Sequence, residues 1–180
     1  MGEGVRFNSD VQTGGVMIII GIDPGNKGGI GVLTESGQFL TAFKMPDKYD
    51  LESELLYILQ HREPFICIEK SFPSNNQGIT SIFNHGMNYG VYMKSILNVA
   101  GLYGGEILEI LPQVWKKSFS LSKDKQKSMD LCLKLFPESK PFIYGPNGGM
   151  YDGVAEGILL AEYGRQYLKR QLILRRSDES

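Results

Sequence analysis

The chain has 180 residues, 42% hydrophobic and 22% charged, with 19 Lys and Arg against 20 Asp and Glu for a formal net charge of −1. That length allows one domain with a real core and is too short for two ordinary ones. The balanced charge gives no global attraction to a polyanion, so any nucleic-acid contact has to come from local charge.

Two cysteines, Cys67 in a strand-like run and Cys132 in a helix-like one, exclude a disulfide framework and a zinc spacing and point to a reducing compartment. No apolar run approaches the roughly 18 residues that span a bilayer, so no membrane partner is expected. Residues 1–16, MGEGVRFNSDVQTGGV, lack a signal-peptide core and the arginines of a transit peptide. They are expected to be a disordered N-terminal extension, with Met17 as the native start. Residues 17–172 are expected to form the domain and 173–180 a flexible C-terminal tail.

In chain order, MIIIGID (17–23) is short, β-branched and closed by Pro-Gly, which predicts a buried strand. GIGVLT (29–34) and FLTAFKM (39–45) flank the turn ESGQ and predict an antiparallel meander with it. LESELLYILQH (51–61) carries apolar residues at helical spacing with Pro64 beyond and predicts a crossover helix. FICIE (65–69) and GEILEIL (105–111) predict a fourth and fifth strand, with a long helix over 79–100 between them. PQVWKKSF, a helix near 125–135, a Pro/Gly-rich loop from Pro137 to Gly149 and a last helix from Tyr151 to about Arg170 complete the chain. The expected class is α/β, a mixed five-stranded sheet (three antiparallel strands, then parallel ones) with helices on both faces.

Asp23 and Glu69 each end an apolar strand, and parallel neighbours deliver their C-terminal ends to one edge of a sheet. Asp152 and Glu156, in YDGVAEGILLAEYG, share a helix face with Ala155, Leu159 and Leu160, and that face should look at the sheet. Carboxylates gathered beside apolar groups repel one another unless cations bind between them, and oxygen ligands suit magnesium or manganese. Taken singly, three of the acids have an ordinary explanation, Asp23 as a turn-former before Pro-Gly, Asp152 as a helix cap and Glu156 as a solvated helix residue, while Glu69 is harder to dismiss. The glycines following Asp23 are expected to leave room for a ligand backbone.

At these residues the sequence resembles the RuvC-like Holliday junction resolvases of the RNase H-like superfamily. IIIGIDPG is similar to the family's opening strand with its first metal-binding acid, and IEKSF (68–72) to its second-acid motif with an aromatic three residues on. HGMNYGV (85–91) resembles its glycine-bearing helix, and LPQVWKKSFSLSKDKQK its proline-to-lysine segment. One departure stands out: Gly149 occupies the position, three before Asp152, where bacterial members carry an aspartate. The DGxAE pattern, similar to phage and organellar relatives, would put the missing ligand at Glu156.

The resemblance implies an RNase H-like fold and a crossover junction endodeoxyribonuclease active in DNA recombination and repair. Asp23, Glu69, Asp152 and Glu156 would hold two magnesium ions, replaceable by manganese, with Lys116 and Lys125 at the scissile phosphate. It also implies symmetric nicks with 5′-phosphate and 3′-hydroxyl ends, branched DNA and a second copy of the chain as partners, and an intracellular setting (cytoplasm, nucleoid, phage-infected cell or organelle matrix).

KKSFSLSKDKQK, with five lysines against one aspartate, is the most basic stretch of the chain. Lys117, Lys123 and Lys127 within it, with Lys70, are the candidate backbone-binding charges, and a solvated basic stretch is the plain alternative. Phe72 either stacks on an unpaired base or anchors the PSNNQG loop on the core. Trp115 reads as core packing and His85 as a structural or surface residue. Gly86 and Gly90 share a face with Ile82, Met93 and Leu97 where a backbone can approach, either the sheet or a second subunit. Two other readings remain: a non-catalytic branched-DNA-binding module of the same fold, and a sugar-kinase or actin-like phosphate-binding domain, for which the chain is too short.

Overall fold

A computed structural model describes residues 17–178 apart from 26, 73–77, 123 and 146–147. Five strands, β1 (Ile18–Asp23), β2 (Gly29–Thr34), β3 (Phe39–Lys44), β4 (Pro64–Glu69) and β5 (Glu106–Ile110), form one sheet in the order β3-β2-β1-β4-β5. β1, β2 and β3 are antiparallel neighbours, while β4 runs parallel to β1 and β5 parallel to β4. The expected mixed sheet is therefore the observed one.

Alternation along the strands splits the core in two. Ile18, Ile20 and Ile22 of β1, with Ile66 and Ile68 of β4, meet α1 (Leu51–Leu59) and α2 (Ile79–Tyr103) through Leu55, Ile58, Ile96 and Val99. Ile19, Phe65 and Cys67 face the other way, toward α4 (Lys125–Leu135) and α6 (Asp152–Asp178) and toward Trp115 of α3 (Pro112–Ser118). These side chains are almost wholly buried, each contributing about 1.5–3 kcal/mol of transfer free energy. Burial also pushes the Cys67 and Cys132 thiols up to about 12, which leaves them inert as nucleophiles at neutral pH. Among the described residues no helix is long and apolar enough to cross a membrane.

α6 lies almost in contact with the sheet backbone. A Cβ placed on Gly21 would stand 2.1 Å from Ala161 N and Gly157 O, and one on Gly31 2.4 Å from Ile158 Cα. Gly28 and Gly153 form a parallel bridge that holds the start of α6 to the β1–β2 turn. This corrects the role expected of the glycines after Asp23. Gly29 and Gly31 admit the helix, Gly28 folds back on Asp23 O, and Gly25 alone has free space beside the acid.

Three boundaries also change. The stretch from Pro137 expected to be loop contains a 3-10 turn (Pro137–Ser139) and α5 (Lys140–Ile143), with Pro137 and Pro141 at first-turn positions where a missing N–H costs nothing. The last helix runs to Asp178 rather than about Arg170, so the segment expected as a tail from 173 is helical to that point. Residues 1–16 and 179–180 lie outside the described residues.

Candidate active site

Asp23 and Glu69 are the last residues of β1 and β4, whose parallel register pairs Ile22 with Ile68 one step earlier. The two acids leave the sheet side by side. Pleat parity puts both on the face of Ile19, Phe65 and Cys67, which is the face covered by α6. There α6 contributes Asp152 at its first residue and Glu156 one turn later, the latter buried among Val154, Ala155 and Leu159.

The resulting field is strongly negative. Burial, followed by the charges of Glu69 and Glu156, pushes the Asp23 carboxyl up to about 7 against the partial relief of the Gly25 N–H, at 3.2 Å, and Lys116. Burial likewise holds Glu69 above the usual carboxylate range with help from Glu156, opposed by the Trp115 Nε1–H bond of 2.7 Å and by Lys116. Glu156 Oε1 accepts from Lys116 Nζ at 2.7 Å and from Ser128 Oγ at 3.1 Å. Lys125 bonds Asp152, and this bond chiefly raises its ammonium pKa; burial opposes, and the charges of Asp152, Glu156 and Asp23 add to the rise. All four predicted acids and both predicted catalytic lysines thus act in one electrostatic neighbourhood.

Among the described residues no group of three or more His, Cys, Asp or Glu side chains is arranged to hold a metal ion. The cause is visible in the partners: Glu69 turns to Trp115, Glu156 to Lys116 and Asp152 to Lys125. The donor set nevertheless fits a hard divalent cation. It offers oxygens alone, two of the acids already accept a cation in the form of an ammonium, and Asp23, raised first by burial and then by Glu69 and Glu156, has only the Gly25 N–H and Lys116 to oppose the rise.

Of the predicted DNA-contacting residues, Phe72 is 61% exposed with Lys70 Nζ 5.8 Å from its ring centroid, which rules out anchorage on the core. Lys117 and Lys127 are exposed on α3 and α4; Lys123 and residues 73–77 of the adjoining loop lie outside the described residues. His85 is structural in the expected sense, its Nε2 sharing a 2.9 Å bond with Ser71 Oγ. The expected approach of the sheet to Gly86 and Gly90 does not occur among the described residues: a Cβ at either would meet nothing within 4 Å.

Two solved structures fall here. "T. thermophilus RuvC in complex with Holliday junction substrate" matches with a TM-score of 0.55 and 14% identity over 84% of this chain and 96% of that one. "Thermus thermophilus RuvC structure" matches at 0.54 and 19% over 83% and 96%. The chain has the RuvC fold, an RNase H-like α/β architecture. At these identities the likeness is one of fold alone. A scan of protein-family models and a search of curated proteins yield no match.

Trp115 does more than the packing expected of it. It is fully buried, and its indole N–H favours the charged form of Glu69 against the burial that raises its pKa. Ser128, which shares Glu156 Oε1 with Lys116, was not foreseen at all. The one available signal was adjacency, since the segment that delivers Lys116 necessarily delivers Trp115 beside it. Trp115→Phe keeps most of the ring volume and removes the donor. It is expected to raise the Glu69 pKa, while lowering stability by about 1–3 kcal/mol. An NMR titration of the Glu69 carboxyl together with urea unfolding checks both.

Proposed function

We propose that the protein is a metal-dependent, structure-selective endonuclease that resolves Holliday junctions by paired symmetric nicks, leaving 5′-phosphate and 3′-hydroxyl ends. The observation that carries this reading is the convergence of Asp23, Glu69 and Glu156, with Asp152 at the mouth, on one face of a RuvC fold. A neighbour of that fold bound to Holliday junction substrate supports branched DNA as the ligand. The DGxAE pattern supports a likeness to phage or organellar members at the last acid.

Asp23, Glu69, Asp152 and Glu156 are the residues to hold two magnesium or manganese ions, which when bound supply an activated water and charge stabilisation at the departing 3′-oxygen. The chain's own groups do the rest. Lys116 and Lys125 exchange their carboxylate partners for the scissile phosphate and offset its developing charge. Trp115 orients Glu69 and favours its ionised form against burial. Exposed Phe72 stacks on an unpaired base at the junction centre, and Lys70, Lys117, Lys123 and Lys127 follow the backbone.

A homodimer fits both the substrate and the surface. α2 presents Ile79, Ile82, Phe83 and Leu97 outward around Gly86 and Gly90, where an added Cβ would meet no other element among the described residues within 4 Å. That is an apolar helix face with room for a second backbone, and a two-fold dimer matches the two-fold symmetry of a four-way junction. Domain limits of 17–172 and an intracellular site of action belong to the same proposal.

One observation favours a second reading, a junction-binding module without chemistry: two of the four acids are neutralised by lysines of the chain itself. Cleavage of a synthetic four-way junction beside a linear duplex, in magnesium and in manganese, separates the two. Symmetric nicking of the junction, sparing the duplex and lost in Glu156→Gln, is the expected result. Tight junction binding with no nicking in either metal would establish the module instead, and full activity of the Glu156 variant would remove Glu156 from the ligand set.

A further inference from the structure

Beside Asp23, on the far side of the Pro24–Gly25 turn from the acids of α6, lies a cleft of about 410 Å³ that the chemistry above does not use. Lys27 and the turn form one wall, and Ser81, Asn84 and Asn88 of α2 form the other, with the bonded pair Ser71–His85 lining it too. We infer that this cleft seats one unpaired nucleotide of the strand being cut, and that Asn84 and Asn88 read its base. The inference rests on the nuclease reading only for the identity of the strand.

The chemistry of the lining argues for a nucleotide. Among the described lining residues there is no carboxylate, so a phosphate can approach, and Lys27 is the cation among them. The other polar groups are amides and hydroxyls, which suit the mixed donors and acceptors of a base edge rather than a second phosphate. Some of them are already engaged. Tyr89 donates to Glu109 Oε2 at 3.0 Å, and Ser71 and His85 satisfy each other. Those groups act as walls.

Asn84 and Ser81 have no hydrogen-bond partner among the described residues. Asn88 Oδ1 accepts from Lys48 Nζ at 2.8 Å, and because an ammonium only donates, this bond fixes which end of the amide is engaged and leaves Nδ2 as its spare donor. Asn84 keeps both its donors and its acceptor. Two asparagines one helical turn apart, one pre-set and one free, make a reader of base edges adjacent to the predicted scissile phosphate.

Two measurements test this. In the first, the side-chain amide NMR signals of Asn84 and Asn88 are followed while the wild-type protein is titrated with a four-nucleotide single strand. Both are expected to shift and saturate, and stationary Asn84 and Asn88 signals overturn the proposal. In the second, a set of four-way junctions varies the nucleotide next to the cut over all four bases. Wild-type rates are expected to differ about tenfold between best and worst base, a spread that Asn84→Ala and Asn88→Ala reduce to about twofold by slowing the best. An undiminished spread in both variants overturns the base-reading role and leaves the nuclease standing. Shifting amides in a protein that cuts no junction would support the cleft and remove the nuclease.

Discussion

Asp23→Asn is expected to abolish junction cleavage, by about a thousandfold or more, and at the same time to make the metal-free protein more stable at pH 8. The two effects share one cause. The folded protein holds the Asp23 carboxyl at about 7 against an ordinary value of 3.8, because it is buried beside Glu69 and Glu156. Between those limits the folded state keeps a proton that the unfolded state has released. Stability from this group is therefore greatest below pH 4, falls as pH rises toward 7, and is lowest above it. Asparagine keeps the shape and the Gly25 N–H bond while discarding the charge. At pH 8 the variant should gain on the order of 2–4 kcal/mol and melt roughly 5–10 °C higher, whereas at pH 4 the two proteins should melt alike. Thermal melts at both pH values check this. A variant no more stable at pH 8 would mean that burial and the neighbouring acids do not raise the Asp23 carboxyl.

The second large effect concerns a residue that touches no substrate. Gly21→Ala would push a methyl into the backbone of α6 at Gly157 and Ala161, with no flexible side chain available to yield. Either the helix lifts from β1 or the strand bends. The expected cost is about 3 kcal/mol or more, a fall in Tm on the order of 10 °C. Because α6 carries Asp152 and Glu156, the same displacement separates them from Asp23, so residual folded protein should cut junctions far more slowly. Differential scanning calorimetry and a cleavage assay on the same preparation read both quantities. A variant as stable and active as wild type would show that α6 is not seated on the glycines as described.

Much of this was legible in the residues themselves. MIIIGID and FICIE announce buried strands by β-branched composition, and an acid ending each of two parallel strands has few places to go but one sheet edge. The DGVAE spacing likewise put Asp152 and Glu156 on a single helix face. What the sequence hid is three-dimensional. Lys116–Glu156 and Lys125–Asp152 join residues 40 and 27 positions apart, and nothing local marks them as partners. Trp115 gave only its hydrophobicity away, since an indole N–H is invisible until its acceptor is placed. The glycines of GNKGGIG were assigned to ligand space because a sequence does not say which backbone will press against them. The Pro/Gly-rich composition of 137–149 points to a loop, yet Pro137 and Pro141 each stand in the first turn of a short helix where the ring is tolerated.

Four acids from distant parts of the chain should close around divalent ions once their lysine and tryptophan partners release them, and anomalous diffraction at the manganese edge, from crystals grown with manganese, tests this. Manganese peaks are expected about 2.1 Å from oxygens of Asp23 and Glu69 and of at least one of Asp152 and Glu156, with Lys116 and Lys125 swung off their carboxylates. A map with no peak among these side chains, and both lysines still bonded to their acids, would contradict it.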